Sequence, residues 1–123
     1  MADAWDDVQS MEGGLETTIG SHGTTKITSS LASRLSLARA YLNPAQVLLI
    51  DELPNALLSG KAGENLKNYL IRAKGKRTVI MCTYREDYMK LADTIVWLKG
   101  MSEPESGPRD IMFEKVQTNE VAA

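Results

Sequence analysis

The sequence predicts an α/β fold, a parallel sheet flanked by helices, from three observations. Apolar runs that do not alternate with polar residues occur at Val47–Ile50 and again at residues 79–82, as strands buried on both faces require. Stretches of helical period lie before and between these runs. The resulting order is strand, helix, strand, helix, strand, which predicts right-handed crossovers and parallel pairing.

Composition sets the outer limits. The 123 residues carry 14 Lys and Arg against 16 Asp and Glu, a net charge of -2, and 43% of them are hydrophobic, which suits a globular chain and excludes a disordered or collagenous one. This length supports one core and therefore one domain. The apolar runs fall far short of the roughly 20 residues that span a bilayer, so no direct membrane insertion is expected. An acidic beginning, with Asp3, Asp6 and Asp7, lacks the basic and apolar segments of a secretory leader. Cys82 is the single cysteine, which forbids an internal disulfide and points to a reducing cytoplasm. Near-neutral charge gives no electrostatic footprint for nucleic acid.

The elements follow in order. Residues 2–11 suit a short helix, with Trp5, Val8 and Met11 spaced by three on one side, and Gly13 and Gly14 stop it. Residues 15–26 are rich in Thr, Gly and Ser and read as an ordered loop or a poorly formed strand pair. From Thr28 onward Leu31, Leu35, Ala38 and Leu42 form the inward stripe of an amphipathic helix. Thr28, Ser29 and Ser30 are good N-caps, because their hydroxyls accept from the orphan amides of a first turn. Asn43-Pro44 closes that helix, since the residue before proline is pushed out of helical geometry.

After the strand at residues 46–50, a second helix spans residues 61–73 with Ala62, Leu66, Tyr69, Leu70 and Ala73 inward, ended by Lys74-Gly75. Ser59-Gly60-Lys61-Ala62 is its start. Strands at 78–83 and 94–98 bracket a short helix at 85–92. Residues 99–108 are polar and turn-rich and read as a linker or mobile loop. Residues 110–116 suit a short strand or helix, and 117–123 a frayed end.

The strongest chemical signal is Asp51-Glu52, directly after an apolar strand. In open α/β folds that carboxyl edge is where ligands bind. One carboxylate held there can face a hydrated Mg²⁺ while the next polarises a water for attack on phosphorus. An acidic pair that merely caps a strand in solvent is the plainer alternative.

A family resemblance makes this specific. Residues Arg34-Leu35-Ser36-Leu37-Ala38-Arg39-Ala40-Tyr41-Leu42, then Asn43-Pro44-Ala45-Gln46, then Val47-Leu48-Leu49-Ile50-Asp51-Glu52 resemble the RLALARAL helix, proline turn and LLLDE Walker B strand of ATP-binding cassette (ABC) transporter ATPases. Upstream, Gly14-Leu15-Glu16-Thr17-Thr18-Ile19-Gly20 is similar to the GLDTxIG segment of exporter cassettes. Downstream, Arg77-Thr78-Val79-Ile80 resembles the RTVI strand and Ala92-Asp93-Thr94-Ile95-Val96-Trp97-Leu98 the ADRIVVL strand. The match runs from about Leu15 to Gly100.

The resemblance implies a partial P-loop NTPase-like parallel sheet of about three core strands, flanked by helices, with a short N-terminal piece of a helical subdomain. Residues 1–100 would be the C-terminal half of the ATPase domain, of exporter or type I secretion type, and 101–123 a polar extension. Asp51 would hold Mg²⁺ through water, and Glu52 would be the general base. Tyr84 stands where the family has its switch histidine. Residues Thr28, Ser29 and Ser30 fall on the signature LSGGQ and would face ATP held by a second ATPase subunit. A transmembrane transporter domain is the other implied partner, with the chain cytoplasmic and peripheral on the inner membrane.

The departures are as informative. Both signature glycines are replaced, and added Cβ atoms limit how closely a phosphate can approach. Tyr84 lacks the charge change that histidine makes near neutrality. The D-loop, SALD in the family, is Asn55-Ala56-Leu57-Leu58, without the closing aspartate, and Leu58 is expected in the core or at an interface. The phosphate-cradling GxxxxGK[ST] is nowhere in the 123 residues. ATP and Mg²⁺ binding by this chain alone is therefore expected to be weak or nil, and the chain alone inactive.

A second expectation, of another class, is a non-catalytic interaction module that self-associates through an exposed sheet edge. Other candidates read plainly: His22 as a solvent-facing loop residue, Cys82 as a buried inert thiol, and Lys67, Arg72, Lys74, Lys76 and Arg77 with Tyr69 as a solvated helix end.

Overall fold

The computed structural model describes residues 2–20, 25–51 and 53–121. It is an α/β structure in two compact units, Met1–Cys82 and Thr83–Ala123. His22 and Glu52 lie outside the described residues.

In the first unit, α1 (Trp5–Gln9) is followed by a 3-10 turn at Gly14–Glu16. Val8 is buried in α1, while Trp5 points outward at 56% exposure, so the expected three-residue stripe is only partly inward. The strand pair expected in residues 15–26 reduces to one parallel bridge, Ile19 with Thr25. Helix α2 (Ser29–Leu42) begins where the hydroxyl sequence says it should. Thr28 has extended backbone and its side-chain oxygen accepts from the Leu31 amide at 3.2 Å. Asn43, also extended, ends the helix before Pro44.

The inward stripe of α2 needs correction. Leu31 and Leu37 are its buried residues, and Leu42 is 80% exposed. A helix stripe records which side is apolar; burial depends on what packs there, and α2 packs on α3 (Asn55–Leu58). Arg34 further ties α2 to the N-terminal segment by a 2.9 Å ion pair with Asp7.

Strand β1 (Val47–Ile50) pairs in parallel with β2 (Thr78–Met81), in the register Val47 with Thr78 through Ile50 with Met81. Between them, α4 (Gly60–Ala73) buries Gly63, Leu66, Leu70 and Ala73. Leu57 and Leu58 of α3 complete this core, with Leu57 and Leu66 essentially without exposed surface. Helix α4 stops as its composition directs: Gly75 takes a φ of 71°, a left-handed geometry that side chains with a Cβ resist, and the chain turns back through amides of Lys76 and Arg77 onto the Ala73 carbonyl.

One face of this parallel pair is bare. Ile50 is buried, whereas Val47, Leu49 and Ile80 are 55%, 66% and 52% exposed. Cys82 is exposed as well, in place of the expected buried thiol, because it continues the two-residue alternation of Thr78 and Ile80 on the open side.

The second unit departs most from the sequence reading. Strand β3 (Thr94–Trp97) does not join the parallel pair. It pairs antiparallel with β4 (Glu105–Pro108), so the sheet of about three parallel strands is instead one parallel pair and one antiparallel pair. Residues 105–108, expected as linker, form a strand, and α6 (Arg109–Val121) extends through much of the stretch expected to fray. Met112 and Val116 of α6 are buried, and α6 packs on both strands. The short helix α5 (Glu86–Met89) contributes buried Tyr88.

Candidate functional site

The first unit holds two of the sequence-derived site elements. Asp51 leaves the carboxyl end of β1, beside the point where the Cys82 amide donates to the Ile50 carbonyl at 2.9 Å. The parallel register sends both strands out at this one edge, which is the ligand edge of open α/β sheets. Asp51 is exposed and has no ion-pair partner among the described residues.

The second element is the N-terminus of α2. Thr28, Ser29 and Ser30 are all exposed there. The Thr28 hydroxyl oxygen is engaged as the helix cap, and the Ser29 carbonyl accepts from the Ser33 hydroxyl at 3.0 Å. Fourteen residues of helix stand behind this end, so its amides and dipole favour an anion in front of it. Capping and anion contact are compatible, since the cap occupies the Leu31 amide and leaves the Ser30 hydroxyl exposed.

Tyr84 is 76% exposed and belongs to the second unit. Beside it, Arg85 is held by Asp87 through hydrogen bonds of 3.0 and 2.9 Å, and this partner raises the arginine pKa further. Tyr88 is pushed up from its ordinary value, first by burial and then by the Asp87 charge, so its hydroxyl stays neutral across the ordinary pH range.

A metal was expected at Asp51. The described residues contain no group of three or more His, Cys, Asp or Glu that could hold one. A single exposed carboxylate still fits Mg²⁺, which is commonly held by one or two carboxylates with waters and phosphate oxygens. Such a site depends on a phosphate that other residues must grip.

Sequence reasoning missed one built feature. Arg77 is not part of a solvated helix end: its Nε donates to the Ala45 carbonyl at 3.1 Å, and its guanidinium also reaches the Asn43 carbonyl and the Tyr69 hydroxyl. Tyr69 in turn stacks on Tyr41, with ring centroids 4.1 Å apart. The available signal was the spacing of Tyr41 and Tyr69 at the C-terminal ends of two helices flanking one strand.

The first unit thus combines an exposed acid at the carboxyl edge of a parallel pair with a hydroxyl-rich helix start, on an α/β framework with a small parallel sheet. Known proteins with similar sequences share one description. The chain is 34% identical over 108 residues, 88% of its length, to an uncharacterized ABC transporter ATP-binding protein of Sinorhizobium fredii. It is 33% identical over 93% of its length to an ATP-dependent lipid A-core flippase of Thiobacillus denitrificans, and 32% identical over 93% to one of Francisella novicida. The chain spans only 18 to 19% of the length of these relatives. No protein-family profile matches it. The chain is a homologue of part of the ABC transporter ATP-binding proteins, as its motifs indicate. Among the described residues no helix is long and apolar enough to cross a membrane.

Proposed function

We propose that this chain is the acid-bearing, signature-bearing part of a degenerate ATP-binding cassette, which in complete form couples ATP binding and hydrolysis to transport. The similarity over 88 to 93% of the chain to ABC transporter ATP-binding proteins carries this reading. Residues 1–100 correspond to the C-terminal half of a P-loop NTPase-like domain, and the similarity to these relatives, over 108 and 114 residues, runs on past residue 100.

In that reading Asp51 orients a hydrated Mg²⁺ at the carboxyl edge of β1. Mg²⁺ bound there would supply charge neutralisation of the phosphate oxygens as the terminal phosphoryl group passes to water and ADP departs. Glu52 accepts hydrogen bonding from the attacking water and polarises it. Thr28, Ser29 and Ser30 present hydroxyls and helix amides to ATP on a second ATPase subunit, and Tyr84 donates a neutral hydrogen bond at the switch position. A transmembrane transporter domain is the other partner, which places the chain in the cytoplasm, peripheral to the inner membrane. The missing signature glycines and switch histidine make this a slow or non-hydrolysing site.

The test grafts this chain in place of its matched stretch in the Thiobacillus denitrificans flippase. Mg²⁺-dependent retention of ATP by the purified chimera is expected, and Asp51→Asn should remove the Mg²⁺ dependence. Retention that ignores Asp51→Asn in a folded chimera would overturn the assignment.

A second reading rests on the bare face carrying Val47, Leu49 and Ile80: self-association that covers it. Sedimentation of the chain at micromolar concentration should then show dimers or larger species, which Leu49→Lys disperses. A monomer with a cooperative melt removes this reading.

A further inference from the structure

Where the C-terminal ends of α2 and α4 meet the Asn43-Pro44 turn, the first unit carries a shallow groove of about 300 Å³. Its walls include Tyr41, Leu42, Pro44, Tyr69, Arg72 and Lys76. Three of the residues that line it are cations, counting Arg77, and none is an acid. We propose that this groove docks an acidic peptide segment carrying one apolar anchor side chain.

The division of labour among the cations supports that occupant. Arg77 is committed to the fold, bound to the Ala45 and Asn43 carbonyls and to the Tyr69 hydroxyl, so it builds the floor. Arg72 and Lys76 are exposed at the rim, with no ion pair among the described residues. A helix C-terminus favours a cation in its last turn, which accounts for Arg72. It does not account for Lys76 beyond the turn, nor for Leu42, an aliphatic side chain left 80% exposed beside them.

Apolar and cationic groups thus lie side by side. The Tyr41 and Tyr69 rings lie against each other at a 34° tilt, and Arg77 holds the Tyr69 hydroxyl, so little side-chain ordering accompanies docking. Enclosed cavities bury most of a small ligand; a shallow groove does not, and suits an extended segment whose carboxylates meet the rim while one side chain covers Leu42 and Pro44. Charge complementarity selects acidic sequences and makes association sensitive to salt. The site is independent of the ATPase reading, since it uses neither Asp51 nor the start of α2.

The probe is a fluorescein-labelled hexapeptide, Glu-Asp-Leu-Trp-Glu-Asp, titrated with the full chain by fluorescence polarisation at low salt. Saturable binding that weakens with added salt is expected. Arg72→Glu with Lys76→Glu should weaken it by roughly tenfold or more, as two reversed rim charges imply, and Leu42→Ala by roughly threefold. Lys26→Glu, a charge change outside the groove, should leave it within twofold. Circular dichroism melts establish that each variant folds. The proposal is overturned by absent binding, by equal binding of a peptide with Gln for every acid, or by equal weakening in Lys26→Glu. Binding of anionic vesicles or an oligonucleotide that depends on Arg72 and Lys76, when the peptide does not bind, overturns it also.

Discussion

Arg77 donates from Nε to the Ala45 carbonyl at 3.1 Å, and this bond pins the two strands of the parallel pair at their common start. Arg77 immediately precedes β2, and Ala45 lies just before β1. The next rung, from the Thr78 amide to the Gln46 carbonyl at 2.9 Å, sets the register that delivers Asp51 to the far edge. A planar fork of donors spreads over two carbonyls and a phenol in fixed directions, a geometry that the compact ammonium of a lysine does not reproduce.

Arg77→Lys should therefore behave as a non-conservative change. Loss of the fork leaves the Asn43 and Ala45 carbonyls to water and destabilises the first unit by about 1 to 2 kcal/mol, the range for a charged hydrogen-bond partner discounted for partial exposure. Urea melts followed by circular dichroism measure it. A midpoint unchanged from the parent would show that the strand ladder alone sets the register.

Thr28→Ala removes the cap on α2. The expected cost is about 1 kcal/mol, with Thr28→Ser restoring most of it, because only the side-chain oxygen is needed to accept from Leu31. Equal stability of the alanine and serine variants would argue against a capping role.

Leu66→Ala tests the core of the first unit. Leu66 has no exposed surface and sits on α4 where the helix is covered, so about 2 to 5 kcal/mol should be lost, depending on how far the site collapses. A melt shift smaller than that of Thr28→Ala would contradict this placement.

Acid should loosen the second unit through Glu105. Its carboxyl is held below its ordinary 4.5 by hydrogen bonding first from Lys99 and then from Lys115, the latter at 3.1 Å. A depressed folded pKa means the contribution is fully present above the unfolded value and is lost as pH falls through the folded one. Stability of β3, β4 and α6 should thus decline below about pH 4.5, and Glu105→Gln should flatten that decline. Trp97 fluorescence in a Trp5→Phe background reports on this unit; an acid limb unaltered by Glu105→Gln would remove Glu105 as its cause.

Calorimetric titration of the chain with Mg-ATP should give little heat, because no glycine-rich loop and lysine are present in the sequence to grip the phosphates. Tight one-to-one binding would show instead that the α2 terminus and Asp51 suffice.

Local signals in the sequence carried most of the first unit. Thr28 as cap, Asn43-Pro44 as stop, the unbroken run Val47–Ile50 and the Lys74-Gly75 turn each act within a few residues, so backbone sterics and nearby hydrogen bonds decide them. Asp51 at a strand end was legible for the same reason. Glu52, beside it, lies outside the described residues, so the paired-acid geometry rests on sequence alone.

Partner choice was not legible. Nothing in Thr94–Trp97 says whether its backbone will pair in parallel with β2 or antiparallel with residues 105–108, because an apolar strand offers the same amides and carbonyls to either neighbour. Glu105–Pro108 has no apolar pattern and ends in proline, yet it is a strand, since β3 supplies its ladder and α6 covers it. In the same way the stripe on α2 named an apolar side, and only tertiary packing decided that Leu37 would be buried and Leu42 left in water. The sequence by itself determined where elements start, stop and change period, and where an acid meets a strand end. Tertiary structure decided which edges pair, which apolar faces stay bare and that Arg77 turns inward to bind carbonyls, because these depend on groups distant in the chain.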